Sequence, residues 1–264
     1  MDIPLGKSVQ QPKGFAPAIL AAVPRILGRS SANIDTDAFK GLDRWTAYEF
    51  VWFDQRGVGH ADVLNIEIDS QSKNLVESKS LKLFLNSCYY QYFESPKAVE
   101  TVLSKYIEAI VEGPTKIQLL STEQAKAELQ IVPTFGASID GKSPAGNVDL
   151  KLESNENVHQ CLYTDLFRSL CPVTGQPDWA TIVIEYIGSK LDQRSLLGYL
   201  RSYAEHSGFH EACVESIFQD IRTFEGIEEV AVCAKFLRRG GIDICPFRTS
   251  TDDFAEPKGR SIRQ

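Results

Sequence analysis

The chain lacks any pair of cysteines at metal-ligand spacing. Its six cysteines, Cys88, Cys161, Cys171, Cys213, Cys233 and Cys245, stand well apart, and no CxxC occurs. That argues against a zinc site of the usual kind, and no metal is expected. A disulfide framework is not needed either, because 264 residues with 43% hydrophobic side chains can bury a core without staples. Neither GxGxxG nor GxxxxGK is present, so a dinucleotide, if bound, is not held by a Rossmann or P-loop device. No apolar run approaches the roughly 20 residues that cross a bilayer. The stretch from Phe15 to Val23 is short and broken by Pro17, and no secretory signal is recognisable. The expectation is a cytoplasmic protein with reduced thiols and no membrane partner. An excess of basic charge is missing too. The 28 Lys and Arg stand against 35 Asp and Glu, a net charge of −7, which disfavours direct binding of nucleic acid.

What the chain does contain is an internal repeat. Phe53 to Ile68 (FDQRGVGHADVLNIEI) parallels Cys171 to Tyr186 (CPVTGQPDWATIVIEY), with Gly57 matching Gly175 and Glu67 matching Glu185, each pair 118 positions apart. Both stretches run from a polar glycine-containing loop into β-branched strand sequence at Val63–Ile68 and Thr181–Tyr186. Helices follow. Leu81, Phe84, Leu85 and Cys88 form an i, i+3, i+4, i+7 stripe, and Leu196, Tyr199, Leu200 and Tyr203 repeat it in phase. A second helix in each half carries Val99, Val102, Leu103 and Tyr106, or Val214, Ile217, Phe218 and Ile221. Late strands are predicted at Lys116 to Ser121 and Glu229 to Phe236. Strand, strand, helix, helix, strand in each half predicts an α+β fold, with an antiparallel sheet covered by paired helices on one face. The predicted organisation is an N-terminal arm over 1–40, a first module over 41–133, a loop over 134–147 rich in Gly, Ser, Pro and Asp, and a second module over 148–264.

The two copies differ where chemistry would sit. Phe53 stands opposite Cys171, and His60 opposite Asp178; Glu77-Ser78-Lys79-Ser80-Leu81-Lys82 stands opposite Asp192-Gln193-Arg194-Ser195-Leu196-Leu197. Polar chemistry is therefore split between the halves, which predicts one composite site. Cys171 lies in a loop with two prolines and a glycine, Cys171-Pro-Val-Thr-Gly-Gln-Pro-Asp178. It is either an exposed nucleophile with Asp178 as proton donor or acceptor, or a small buried residue beside a turn-capping carboxylate. Glu77 and the serines after it are either helix caps or, with Lys79 and Lys82 at a helix N-terminus, part of a phosphate site. Arg238-Arg239-Gly240-Gly241 offers two guanidinium groups beside flexible backbone, or a solvated basic pair. His210-Glu211 opens a helix, where the carboxylate either favours the macrodipole or accepts from a purine-like edge. Cys88, Cys161, Cys213, Cys233 and Cys245 carry no sign of reactivity.

Together these segments resemble the nitrile reductases of queuosine biosynthesis, the 7-cyano-7-deazaguanine reductase family, in their two-module form. The resemblance rests on Glu77-Ser78-Lys79-Ser80-Leu81-Lys82-Leu83-Phe84, on Cys171 to Asp178, on Gly208-Phe209-His210-Glu211 and on Arg238-Arg239-Gly240-Gly241-Ile242-Asp243. Leu5-Gly6-Lys7 and Val23-Pro24-Arg25 are similar to that family's N-terminal arm. The resemblance implies tandem tunnelling-fold modules, whose antiparallel sheets with helix pairs associate into barrels. It implies NADPH as cofactor and a four-electron reduction of a nitrile to a primary amine. By that resemblance Cys171 forms a thioimide with the nitrile carbon and Asp178 moves protons. Leu75, Val76, Glu77, His210 and Glu211 would hold the deazaguanine. Ser78, Lys79, Arg239 and Gly240 would hold NADPH. The partner expected is a small deazapurine, and the assembly expected is a homodimer. One departure stands out, Cys245 where the family pattern has Asn. Two other readings remain at this stage, a tunnelling-fold hydrolase of the GTP cyclohydrolase kind, which would need a metal, and a purine-binding protein without catalysis.

Overall fold

A computed structural model of the protein describes residues 10–141 and 149–264. Leu5-Gly6-Lys7, and the part of the predicted inter-module loop from 142 to 147, lie outside the described residues. The secondary structure is α+β, with eleven strands and six α-helices among the described residues. In chain order these are β1 Ala22–Pro24, α1 Ile26–Ser31, β2 Lys40–Asp54, β3 Gly59–Asp69, β4 Asn74–Val76, α2 Ser78–Ser87, β5 Tyr92–Phe93, α3 Pro96–Val111, β6 Thr115–Leu120, α4 Thr122–Glu128, β7 Ala137–Ser138, β8 Leu152–Leu170, β9 Pro177–Leu191, α5 Gln193–Ser202, α6 His210–Arg222, β10 Ile227–Phe236 and β11 Ile242–Thr249. None of the described helices is long and apolar enough to cross a membrane.

The chain divides into two compact units. The first comprises Met1–Leu27, Asp43–Leu129 and Arg238–Asp243; the second comprises Gly28–Leu42, Gln130–Leu237 and Ile244–Gln264.

In the first unit β3 pairs antiparallel with β6, from Val63 opposite Leu120 to Ile68 opposite Thr115. Leu64, Ile66 and Ile68 are buried on one face, as the two-residue period of a half-covered strand requires. Ser95 caps α3 by accepting from the Ala98 amide, and Pro96 occupies the first turn, where a missing N–H costs nothing. Its buried stripe is Val99, Leu103, Ile107 and Val111. Val102 and Tyr106, predicted on that stripe, are only half-buried. The helix buries a narrow i, i+4 row, and Tyr106 sits at its border, where its ring meets Phe84 of α2 and Phe15 at centroid distances of 6.0 and 5.8 Å.

A short two-stranded sheet joins the N-terminal segment to this unit. β1 pairs antiparallel with β4, Val23 opposite Leu75. The next residue, Arg25, is buried and bonds Oδ2 of Asp43 at 2.5 Å and the Ser72 hydroxyl at 3.0 Å. The N-terminal segment is thus tied in by a buried ion pair. The sequence does not show that pairing, since neither residue announces its partner.

The second unit carries the longer strands. β8 and β9 form a hairpin with breaks in register between Leu152 and Asn157 and between Thr164 and Phe167. β10 lies against β9 and β11 against β10, all antiparallel. Ile182, Ile184, Tyr186, Val230, Val232 and Phe236 share one core with Leu196 and Leu200 of α5 and Val214, Ile217, Phe218 and Ile221 of α6. Both helices therefore lie on one face of this sheet. Val183, Ala231, Cys233 and Phe247 form a smaller cluster with Phe254. The predicted loop after 133 holds more order than expected, for β7 pairs in parallel with Leu162 and Tyr163 of β8.

The internal repeat is visible atom by atom at two places. Gly57 and Gly175 both have positive φ, +80° and +65°, and their amides close turns onto the carbonyls of Asp54 and Cys171. At the helix starts, Glu77 accepts from the Lys79 and Ser80 amides, and Asp192 accepts from the Ser195 amide. Ser80 and Ser195 return the same bond, each hydroxyl donating to the carbonyl of its capping residue.

Candidate functional site

The predicted site residues fall into two groups, each assembled inside one unit. In the second unit, Cys171 follows the last residue of β8 and Asp178 lies at the start of β9. The loop between them is closed by the Cys171 amide donating to the Gln176 carbonyl and the Gly175 amide donating to the Cys171 carbonyl, both at 2.9 Å. Cys171 is only 5% exposed, while Pro172 to Pro177 are exposed. Of the two placements the sequence allows for this thiol, it takes the buried one. A segment with no local sequence signature runs beside the preceding residue. The Leu170 amide donates to the His206 carbonyl at 2.8 Å, and the Gly208 amide donates to the Leu170 carbonyl at 3.1 Å. This ladder lays His206–Gly208 beside the residue that precedes Cys171 and delivers the start of α6 to the same place.

α6 begins at His210 behind Phe209, which provides no side-chain cap. Nε2 of His210 is 3.3 Å from Oδ2 of Asp178. The imidazole also stacks on Phe236, with centroids 3.9 Å apart and planes 22° apart. Glu211, 4% exposed, occupies the first turn of α6, where the helix dipole favours a carboxylate. Its charge and that of Asp178 both reach Cys213. Burial pushes the Cys213 thiol up to about 12, and the two carboxylates add to that. Cys88 is likewise pushed up to about 12 by burial, and Cys161 to about 11 by burial and then by Glu185. A thiol held that high is protonated and a poor nucleophile at neutral pH. Cys245 is buried in β11, where its sulfur accepts from the Gln264 side-chain amide at 3.1 Å.

In the first unit, Leu75 and Val76 lie buried in β4, one edge of which pairs with β1. Glu77, 1% exposed, uses Oε1 for the Lys79 amide at 2.7 Å and Oε2 for the Ser80 amide at 2.8 Å. The helix-cap reading of Glu77 is thus realised, and it alters the phosphate reading. Those two amides of the first turn are taken, so an anion here would meet the side chains of Ser78, Lys79 and Lys82. A carboxylate oxygen has a further lone pair, which leaves Glu77 able to accept from a ligand as well.

Arg238-Arg239-Gly240-Gly241 is not the flexible backbone expected. The Arg239 amide donates to the Ile242 carbonyl at 2.8 Å, and φ is +61° at Gly240 and +86° at Gly241. Positive φ at both central residues is the requirement of a type I′ turn, which glycine meets without strain. A Cβ on Gly240 would stand 2.2 Å from Nζ of Lys82. The turn and α2 are therefore in contact within one unit, with Lys82 against Gly240, Arg239 next to it in the chain and Lys79 one helical turn before Lys82. That donor set suits a phosphorylated cofactor.

Residues 11–119 match the family model described as nitrile reductase, 7-cyano-7-deazaguanine-reductase N-term, and residues 177–254 match that of the QueF-like proteins. Similar proteins named NADPH-dependent 7-cyano-7-deazaguanine reductase occur in several bacteria. That of Dechloromonas aromatica is 40% identical, covering 99% of this chain and 95% of its own length. The Saccharophagus degradans protein is 39% identical, covering 100% and 99%, and one from Coxiella burnetii is 37% identical, covering 98% and 96%.

Proposed function

From the premise that this chain belongs to the family of NADPH-dependent 7-cyano-7-deazaguanine reductases, we propose a role for each residue of the two groups. The protein is an oxidoreductase that reduces the nitrile of 7-cyano-7-deazaguanine to an aminomethyl group with NADPH, a step of queuosine biosynthesis. The observation that carries the residue assignment is the Cys171 loop, with Asp178 hydrogen-bonding distance from His210 at the start of α6.

Cys171 attacks the nitrile carbon. A carbon–sulfur bond forms and one π bond of the nitrile opens, while the thiol proton passes to the Asp178 carboxylate and from it to the nitrogen, giving a thioimide. A nitrile is electrophilic but inert, and a covalent intermediate divides its reduction into easier steps. His210 holds the Asp178 carboxylate in place for this transfer. In the first unit Glu77 and the backbone of Leu75 and Val76 are assigned to the deazaguanine, and in the second unit Glu211; each carboxylate would accept from a ring N–H. Burial of both carboxylates strengthens those bonds, because water does not compete there. Ser78, Lys79, Arg239 and Gly240 hold NADPH, which supplies hydride when bound and is used twice for four electrons.

Residues 41–133 and 148–264 are tandem tunnelling-fold modules in this reading, which is supported by the strand and helix order and the shared capping atoms of the two copies. Association as a homodimer is supported by β8, whose outer edge from Leu152 to Cys161 meets no other strand among the described residues. A cytoplasmic location accords with six free cysteines. The test is NADPH oxidation by the purified protein with 7-cyano-7-deazaguanine, the amine product identified by mass. Absence of substrate-dependent oxidation would overturn the proposal.

A further inference from the structure

The Arg238–Asp243 turn is held at three points by one residue of β2 in the same unit. The amide of Tyr48 donates to the Gly241 carbonyl at 3.0 Å. Its ring lies against the Arg238 guanidinium, with Cζ 4.5 Å from the ring centroid. Its hydroxyl donates to Oδ2 of Asp243, a carboxylate that is 1% exposed. The three contacts fall on the residue before Arg239, on the second glycine, and on the residue after Ile242. The next residue of β2 completes the clamp, for a Cβ on Gly241 would meet the Glu49 carboxylate at 1.9 Å. Arg239 itself is exposed, and its amide is bound inside the turn. Where its guanidinium stands is therefore set by the turn, and the position of the turn is set largely by Tyr48.

We propose that Tyr48 is a positioning residue for NADPH, acting through the Arg238–Asp243 turn and touching neither the cofactor nor the deazaguanine. This rests on the reading that Arg239 and Gly240 hold NADPH. Arginine recognises phosphate through a planar fork whose direction matters as much as its charge. A turn that shifts keeps its charge but loses that direction. Cofactor affinity should suffer while the deazaguanine, held elsewhere, is unaffected.

The experiment compares Tyr48→Leu, Tyr48→Phe and Arg239→Ala, each first checked for a wild-type thermal transition. Loss of the ring and the hydroxyl together in Tyr48→Leu should raise KM for NADPH about tenfold. The NADPH-to-NADH ratio of kcat/KM should fall, with kcat at saturating NADPH and the calorimetric Kd of the deazaguanine unchanged. Tyr48→Phe, which keeps the stacked ring and the amide, should lie between wild type and Tyr48→Leu. Arg239→Ala tests the underlying reading, which fails if KM for NADPH does not rise in that variant. If Arg239→Ala raises it while both folded Tyr48 variants keep wild-type KM and cofactor preference, the positioning role is overturned. Equal weakening of NADPH and deazaguanine binding in the Tyr48 variants would also overturn it, because that is the signature of a general structural residue.

Discussion

His210 meets Asp178 through Nε2 and Oδ2 at 3.3 Å, and the stack on Phe236 holds the ring in that attitude. One partner comes from the first turn of α6 and the other from the start of β9, so the pair is fixed by two elements packed in one core. If Asp178 delivers a proton to the nitrile nitrogen, Asp178→Asn should lower kcat by roughly 10²–10⁴, the usual worth of general acid catalysis. His210→Ala should cost less in kcat, since the carboxylate remains but is less well held. Steady-state NADPH oxidation with saturating nitrile separates the two. A His210→Ala loss in kcat larger than that of Asp178→Asn would reverse the assigned roles.

Cys171 is the thiol expected to react, even though it is nearly buried. Cys171→Ala should abolish turnover and the covalent adduct with substrate, which intact-protein mass spectrometry reads directly. Cys88→Ala and Cys233→Ala should retain activity. Cys88 and Cys213 are held protonated by burial, so brief alkylation of the folded enzyme should label neither. Labelling of Cys88 ahead of Cys171 would contradict the assignment.

Glu77 and Asp192 cap corresponding helices in the two copies, and only Glu77 is assigned a ligand. Their alanine variants therefore separate capping from binding. Each should lose about 0.5–2 kcal/mol of stability, the cost of removing a helix cap. Glu77→Ala should in addition weaken deazaguanine binding about tenfold or more, from loss of a hydrogen bond to a charged group. Urea unfolding and calorimetry on both variants give the comparison. Equal substrate affinity in Glu77→Ala and Asp192→Ala would leave Glu77 as a cap alone.

The parts of the fold legible in the sequence were those with a strong local signal. Val63–Ile68 and Thr181–Tyr186 are dense in β-branched residues, and both lie inside observed strands. The α6 stripe of Val214, Ile217, Phe218 and Ile221 is wholly buried. β8 carries little local signal, because its first half is exposed and polar, from Glu153 to Asn157. β1 and β4 have three residues each, too few for any period to show. At the site, the chemistry-bearing residue types were visible, but their pairings were not. The sequence predicts Asp178 folded back across the Cys171 loop; that His210 reaches Asp178 follows from the ladder between Leu170 and His206–Gly208, a contact with no local signature. The Gly240-Gly241 pair did carry a signal for a tight I′ turn. The two arginines before it carry no such signal, so the contacts that hold the turn have no local signature.

The last prediction concerns acid stability and a buried triad in the second unit. Glu215 receives Nε and Nη2 of Arg29 at 2.9 and 2.8 Å, and Nε and Nη2 of Arg248 at 3.1 and 2.8 Å. Burial alone would raise the carboxyl, but the two guanidinium groups outweigh it and hold Glu215 below its ordinary value of 4.5. A group lowered in the folded state binds fewer protons there than in the unfolded chain over the interval between the two values. Its stabilisation is therefore complete above the unfolded value and is lost as pH falls through the folded one. Stability should hold near neutrality and decline from about pH 5 downward. Glu215→Gln should be less stable at pH 7 by about 3–5 kcal/mol, because it leaves two buried guanidinium groups facing each other without their anion. It should also show a shallower decline on acidification, since the titrating group is gone. Urea unfolding of both proteins at pH 7 and at pH 4 measures the two slopes. An unchanged slope in Glu215→Gln would assign the acid sensitivity to other carboxylates, with Asp43 beside Arg25 the next to test.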